Sequence, residues 1–323
     1  MRAIRIDRFG SGADVLQHVQ MPTPKVHPRC VLIKNEYIGV NYLDINQRTG
    51  LIHIPVPCIL GREGAGTVVA VGTSLAHQFA PGDRVAYLGN YTYAEYSCVC
   101  PKAIYKLPSS VSTETGAAVL LQGVMALALV TEAYKVKAGD WVLINAAAGG
   151  TGSLLVQICQ QFGAKVIAVT SSPAKAQCLQ NTLGVEHVLF YDQPDYAQEI
   201  KRLTFGRGVD VVYDSVGRTT FYTNLGCVRR GGNMVVFGCS SGKVPPIDIG
   251  ILACNNVKLV KPTLFNYIPD RAEFDRFTYQ LLDMVQRGQI KPLIHRIYPL
   301  AAIEHAHRDL ESRSSVGKIL LKP

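Results

Sequence analysis

Between residues 141 and 260 the short apolar runs WVLIN, AKVIAVT, HVLFY, VDVVYDS, NMVVFG and VKLV alternate with stretches of helical periodicity. Runs this uniformly apolar have no face to leave in water, so they are expected to be strands covered on both sides. Strands covered on both sides and separated by helices form a parallel sheet with crossover helices, so this region is predicted to be a doubly wound α/β layer. The chain before it has a different texture. Residues 1 to about 120 contain the alternating segments MRAIRI, CVLIKNEYIGV, GTVVAVG, DRVAYL and EYSCVC, punctuated by turns such as APGD and KLPSS, which suits a mostly antiparallel β unit. Texture changes again after Pro262, with helices expected at EFDRFTYQLLDMVQRG and AAIEHAHRDLES and a last strand at KILLKP.

A chain of 323 residues with 48% hydrophobic content can bury a large core, and its length favours two domains. No window reaches the roughly 18 consecutive apolar residues of a membrane span, and no signal peptide is recognisable, so a cytoplasmic protein is expected. The nine cysteines are odd in number and scattered, which predicts reduced thiols rather than a disulfide scaffold. The net charge of +9 is compatible with nucleic acid or with a small anionic ligand, but no basic run concentrates it.

The first strand of the α/β layer leads into NAAAGGTGSLLVQ. Ala146, Gly149 and Gly152 stand three apart between a strand and an apolar helix. That is where a dinucleotide-binding fold needs bare backbone, so that the N–H groups of Gly149, Gly150, Thr151 and Gly152 can approach a pyrophosphate. The end of the second strand selects the dinucleotide. An NAD site usually places a carboxylate there for the ribose 2′-hydroxyl, whereas this chain has Ser171, Ser172 and Lys175, which suit a 2′-phosphate and so NADPH. The plainer reading of the same residues is a helix start that Ser caps.

The string AAAGGTG, with GREGAGTVVAVG, GDRVAYL, YDSVGR, FGCSSG and the ending AHRDLESRSSVGKILL, resembles the zinc-independent quinone oxidoreductases of the medium-chain dehydrogenase/reductase superfamily, the zeta-crystallin group. The resemblance implies a GroES-like β-rich catalytic domain from residues 1–121 and 262–323, and a Rossmann-type domain from 122–261. It further implies an active cleft between them, a homodimer, and transfer of a hydride from NADPH to quinones or α,β-unsaturated carbonyls. It places Asn41, Tyr42 and Asp44 beside the nicotinamide and Arg62 near the cleft. Asn41 is the first choice for the nicotinamide face or the substrate oxygen. Asp44 is read either as a cleft residue or as the holder of its own loop, and Tyr42 equally as packing. Tyr191 is implied near the adenosine, and Arg313 at the 2′-phosphate. Val216 and the stretch Phe237, Gly238, Cys239 and Ser240 are expected to edge the ribose and nicotinamide, because they end later parallel strands.

Zinc-dependent relatives take their catalytic metal on a cysteine and on the histidine of a GHE string. Here those positions are Asn41 and Arg62, and no cysteine quartet exists, so no metal is expected. Cys98 and Cys100 form a CxC pair without further ligands near in sequence. The chain also departs from the family at Asn46, where many members have tyrosine, and at Met125, where many have threonine. Asn46 donates a hydrogen bond but cannot deliver a proton, and Met125 offers a flexible apolar wall. GCSSG, followed by Asp248, imitates a hydrolase nucleophile elbow, but the prolines of KVPPID oppose the helix an elbow requires. His305 and His307 lie two apart on one helix and do not share a face, and His295 is isolated. An alternative to catalysis is an NADPH-binding sensor that uses its basic surface to bind RNA. Steep salt dependence would mark that binding.

Overall fold

The computed structural model describes residues 1–193 and 195–323. In chain order the first strands are β1 (Arg2–Ile6), β2 (Gln17–Gln20) and β3 (Val31–Val40), followed by helix α1 (Tyr42–Arg48). Then come β4 (Cys58–Ile59), β5 (Glu63–Val71), β6 (Arg84–Leu88), β7 (Tyr96–Val99), β8 (Ile104–Lys106) and α2 (Thr113–Ala128). The middle of the chain alternates β9 (Trp141–Asn145), α3 (Gly150–Gln161), β10 (Lys165–Thr170), α4 (Pro173–Leu183), β11 (His187–Phe190) and α5 (Tyr196–Leu203). It continues with β12 (Val209–Asp214), α6 (Phe221–Cys227), β13 (Val228–Val236), β14 (Lys258–Val260) and α7 (Leu264–Tyr267). The last elements are α8 (Arg271–Gln286), β15 (Ile294–Pro299), α9 (Ile303–Glu311) and β16 (Lys318–Lys322).

Two compact units emerge. The first comprises Met1–Gln122, Asp270–Gly288 and Pro292–Pro323, and the second Gly123–Pro269 with Gln289–Lys291. Residues 262–269, where the sequence texture changes, cluster with the second unit, and Leu264 and Ile268 there are buried.

In the first unit the main sheet runs β15-β16-β3-β5-β6-β8, with β7 also paired to β3. Its neighbours are antiparallel except β15 and β16. The last strand, β16, lies against the central β3, pairing Leu320 with Gly39, so residues 318–322 join the sheet built from residues 31–106, while β1, β2 and β4 form a separate three-stranded sheet. Ile4, Ile38, Val40, Tyr93, Ile303 and Ile319 belong to one core cluster of this unit. Burial of such side chains contributes roughly 1.5–3 kcal/mol each.

The second unit holds a six-stranded parallel sheet of order β11-β10-β9-β12-β13-β14. This is the doubly wound order, third strand first, and its switch point falls between β9 and β12. Leu143, Ile167, Val169, Val212 and Met234 meet in its core. α2 and its continuation to Ala133 are long and apolar enough to cross a membrane, but 72% of the relevant window is buried inside the protein, as befits a core helix.

One expectation is corrected. Cys30 and Cys98 form a disulfide, with Cα atoms 6.0 Å apart, so not all thiols are reduced. The sheet register brings them together: β7 pairs with β3 so that Cys98 faces Leu32, two positions from Cys30. Pairing across a sheet is invisible to spacing along the chain, and 68 residues separate the two.

Candidate active site

In the second unit β9 ends at the buried Asn145 and the chain turns at Ala146, whose φ of 49° is left-handed. Gly149 N–H donates to the Ala146 carbonyl at 2.9 Å, and α3 begins at once. A Cβ on Gly152 would stand 2.3 Å from the Ala146 oxygen and 2.8 Å from Ala147 Cα, so only glycine lets the helix start this close to the strand. The first N–H groups of α3, among them those of Gly150, Thr151 and Gly152, have no acceptor within the helix and carry the positive end of its dipole. The hydroxyl of Tyr191 accepts from Ala146 N–H at 2.5 Å, which brings that ring to the turn.

At the end of β10, Ser172 stands at the N-cap of α4 without a side-chain capping bond, so the plain capping reading is not realised. Lys175 Nζ donates to Ser171 Oγ at 3.3 Å, holding the ammonium beside the strand end.

On the other side of the switch point, the buried Asp214 ends β12. Its carboxylate accepts from Val216 N (2.7 Å), Gly217 N (3.1 Å), Thr220 Oγ1 (2.8 Å) and Asn224 Nδ2 (3.0 Å). Burial still holds its pKa above the usual carboxylate value. Its backbone carbonyl accepts from Phe237 and Gly238, and Ser240 N–H donates to Ser215 O. Val216 and the stretch 237–240 are therefore neighbours. After Ser240 the chain runs without a helix to Asp248, which caps the 3-10 segment Ile249–Cys254, so no nucleophile elbow forms. Met125 is buried in α2.

In the first unit α1 carries four of the predicted residues. Asn41 is its N-cap and Asp44 lies one turn in, with the Asp44 carboxylate accepting from Asn41 N–H at 2.9 Å. Tyr42 and Asn46, four apart, share a helix face. Asn41 is 4% exposed and its amide is engaged at both atoms. Nδ2 donates to Glu63 Oε1 (2.8 Å) and Gly39 O (3.3 Å), while Oδ1 accepts from Lys318 Nζ (2.8 Å) and Gln122 Nε2 (3.3 Å). Lys318 and Glu63 form an ion pair in which both side chains are 1% exposed. Sequence reasoning missed both; the available signals were a carboxylate in GREG and a lysine interrupting the apolar run at VGKILL.

A second buried chain ends on Asp44. Arg48 Nη1 lies 3.3 Å from His307 Nδ1, His307 Nε2 lies 3.2 Å from the Tyr93 hydroxyl, and that hydroxyl donates to Asp44 Oδ2 at 2.8 Å. Arginine can only donate, so Nδ1 accepts, Nε2 carries the hydrogen and His307 is neutral. Arg48 is completed by Glu311 at 2.5 Å and 3.1 Å. His307 is therefore a packing residue with defined polarity, whereas His305 is exposed. Arg62 is half-buried and donates to Asn90 Oδ1. Burial lowers its pKa, and Asp44 and Tyr91 oppose that. Arg313 is exposed, with φ 59°, just after α9. Among the described residues no three His, Cys, Asp or Glu side chains converge as a metal site.

Two opposed pH effects follow. Burial, reinforced by Arg48, lowers His307 from 6.5 to about 3, so its contribution is complete above pH 6.5 and is lost as pH falls towards 3. Burial raises Asp44 from 3.8 to about 6, so the stability linked to its protonation is complete below 3.8 and lost as pH rises to 6. Between pH 6 and 3.8 the two slopes oppose each other and nearly cancel, and below 3.8 only the histidine loss continues. His307→Gln removes the histidine contribution alone, so its urea-unfolding midpoints should rise relative to those of the unmodified protein as pH falls from about 6.5 to about 4, and an unchanged difference would refute the assignment.

Residues 27–136 match the alcohol dehydrogenase GroES-like domain, and residues 150–283 match the zinc-binding dehydrogenase domain. The chain is 38% identical over 320 residues to a probable quinone oxidoreductase of Schizosaccharomyces pombe, spanning 98% of this chain and 96% of that one. It is 33% identical to a 2-haloacrylate reductase of a Burkholderia species, spanning 100% and 99%. The Escherichia coli quinone oxidoreductase solved with NADPH superposes with a TM-score of 0.96 at 34% identity, over the whole of both chains. The chain belongs to the quinone oxidoreductase family of the medium-chain dehydrogenase/reductase superfamily.

Proposed function

We propose that this chain is an NADPH-dependent reductase of quinones and α,β-unsaturated carbonyls that works without a metal ion. The observation that carries the proposal is the turn at 146–152, where a Cβ on Gly152 would collide with the Ala146 backbone and the start of α3 is left bare for a pyrophosphate. When bound, NADPH supplies the hydride. The N–H groups of Gly150, Thr151 and Gly152 hold the pyrophosphate, Gly149 shapes the turn through its own bond to Ala146, and Tyr191, anchored on Ala146, flanks the adenosine. Ser171, Ser172 and Lys175 bind the 2′-phosphate. Val216 and Phe237, Gly238, Cys239 and Ser240 edge the ribose and nicotinamide, and Met125 gives that pocket an apolar wall.

On the substrate side Asn41 acts as a positioning residue, because its amide is committed to Glu63 and Lys318. Tyr42 and Asn46, on one face of α1, supply hydrogen-bond donors, and Arg62 stabilises the oxygen that gains charge. Asp44 braces α1 and sets the charge beside Arg62. With Asn41 and Arg62 at the two positions where zinc-dependent relatives carry ligands, the chain has no such pair to offer a metal. A homodimer in the cytoplasm belongs to the same reading.

NADPH oxidation measured across a panel of benzoquinones, naphthoquinones and alkenals tests the proposal, and no turnover with any of them would refute it. Lys175→Ala should raise the NADPH KM by about tenfold or more, the scale of a lost charge-assisted contact, and leave the NADH KM within about twofold. Equal loss for both nucleotides would refute the 2′-phosphate assignment.

A further inference from the structure

At the opposite end of the parallel sheet from the glycine turn lies a second cleft, of about 520 Å³. Trp141, Lys165 and His187, the first residues of β9, β10 and β11, line it together with Arg202 and Phe205 at the end of α5. β9 alone separates it from the glycine turn by about 13 Å, at roughly 3.3 Å per residue.

Phe205 is the unusual element. Its side chain is 92% exposed, the most exposed of the large apolar side chains among the described residues. Its backbone is also left-handed, with φ 54°. Gly206 N–H donates back to Lys201 O at 2.7 Å, so α5 ends in the motif whose left-handed position is normally glycine. A bulky residue there costs about 1–2 kcal/mol, and exposing its ring forgoes burial as well. Nothing in the fold requires phenylalanine here, because the position contributes almost no packing.

The rest of the cleft defines what such a ring would meet. Lys165 Nζ stands 5.2 Å from the centroid of the Trp141 indole, and the His187 ring lies 5.5 Å from it. Arg202 is committed to Glu199 at 2.6 Å and 2.8 Å, and His187 lies 3.8 Å from Glu186. Lys165 has no carboxylate partner among the described residues and lies over the indole, whereas the Glu186 carboxylate on the rim is 85% exposed to water, so Lys165 is the cation the cleft offers to a bound anion.

We propose that this cleft is a second small-molecule site that takes an aromatic anion, its ring against Phe205 and Trp141 and its negative group at Lys165. The site is separate from the dinucleotide turn, and its occupancy does not require the reductase reading to hold. Aromatic stacking supplies most of the affinity, and the ammonium discriminates for charge.

Trp141 is the only tryptophan in the chain, so its fluorescence reports binding. The probe is 1-anilinonaphthalene-8-sulfonate, titrated into the protein with and without saturating NADP⁺, with energy transfer from Trp141 as the signal. Saturable binding at one probe per chain is expected. Phe205→Gly should weaken it about tenfold without lowering the thermal midpoint, because glycine relieves the left-handed backbone. Phe205→Asn, which also tolerates that conformation, serves as the second variant. Lys165→Met should weaken the sulfonate about fivefold and leave the neutral analogue N-phenyl-1-naphthylamine unchanged. Displacement by NADP⁺, unchanged affinity in both Phe205 variants, or equal affinity for charged and neutral probes would each overturn the proposal.

Discussion

Replacing Lys318 by methionine is expected to destabilise the protein by about 3–5 kcal/mol, the usual consequence of leaving one member of a buried ion pair without the other. Lys318 and Glu63 are both 1% exposed, so neither has water to fall back on. Glu63 would keep Asn41 Nδ2 at 2.8 Å and Leu121 N–H at 3.0 Å, two neutral donors against a full charge. The pair also sets the orientation of Asn41, whose Oδ1 would lose its ammonium donor at 2.8 Å. A double variant, Lys318→Met with Glu63→Gln, removes both charges and should recover most of the loss, because what harms the single variant is the orphaned carboxylate rather than the missing attraction. Urea unfolding of the single and double variants decides the matter. A single-variant loss under about 1 kcal/mol, or a double variant no better than the single, would contradict the assignment.

The second large effect concerns Gly152. Its Cβ would meet the Ala146 carbonyl oxygen at 2.3 Å and Ala147 Cα at 2.8 Å, both backbone atoms of the turn itself. Neither can swing aside as a flexible side chain would. Gly152→Val must therefore push the start of α3 away from β9 and scatter the N–H groups proposed to hold the pyrophosphate. We expect at least a hundredfold loss of NADPH affinity, on the order of 3 kcal/mol, measured by the fluorescence of bound nucleotide. Gly226→Ala is the matched control: nothing lies within 4 Å of the place its Cβ would take, it sits within α6, and alanine there should preserve affinity and add up to about 1 kcal/mol of stability. Tight NADPH binding by Gly152→Val would remove the turn from the cofactor site.

The parts of this protein that could be read in advance are those with a local physical cause. WVLIN, AKVIAVT and VDVVYDS are apolar on both faces, and a strand with that pattern has few places to go except the interior of a covered sheet. Gly152 was legible because the requirement for no side chain acts between residues six apart. The serine and lysine pattern after β10 is local in the same way, since it occupies five consecutive positions, and its role at a 2′-phosphate is the one proposed above.

The buried polar networks were not legible. Lys318 and Glu63 are 255 residues apart, Arg48 and His307 259 apart, and Cys30 and Cys98 68 apart. Their partnerships exist because β16 lies on β3, because α9 packs in the core that contains Tyr93, and because β7 pairs with β3. Asn41 shows the difference most clearly. Sequence made it the first choice for the nicotinamide face or the substrate oxygen, and the tertiary structure commits its amide to Glu63, Gly39, Lys318 and Gln122. By itself the sequence determined the strand and helix alternation, the bare turn for a pyrophosphate and the preference for a 2′-phosphate, because each is written in the periodicity or sterics of neighbouring residues. Only the tertiary structure decided which buried charges neutralise one another, because pairing in a low-dielectric interior depends on distance in space and not on distance along the chain.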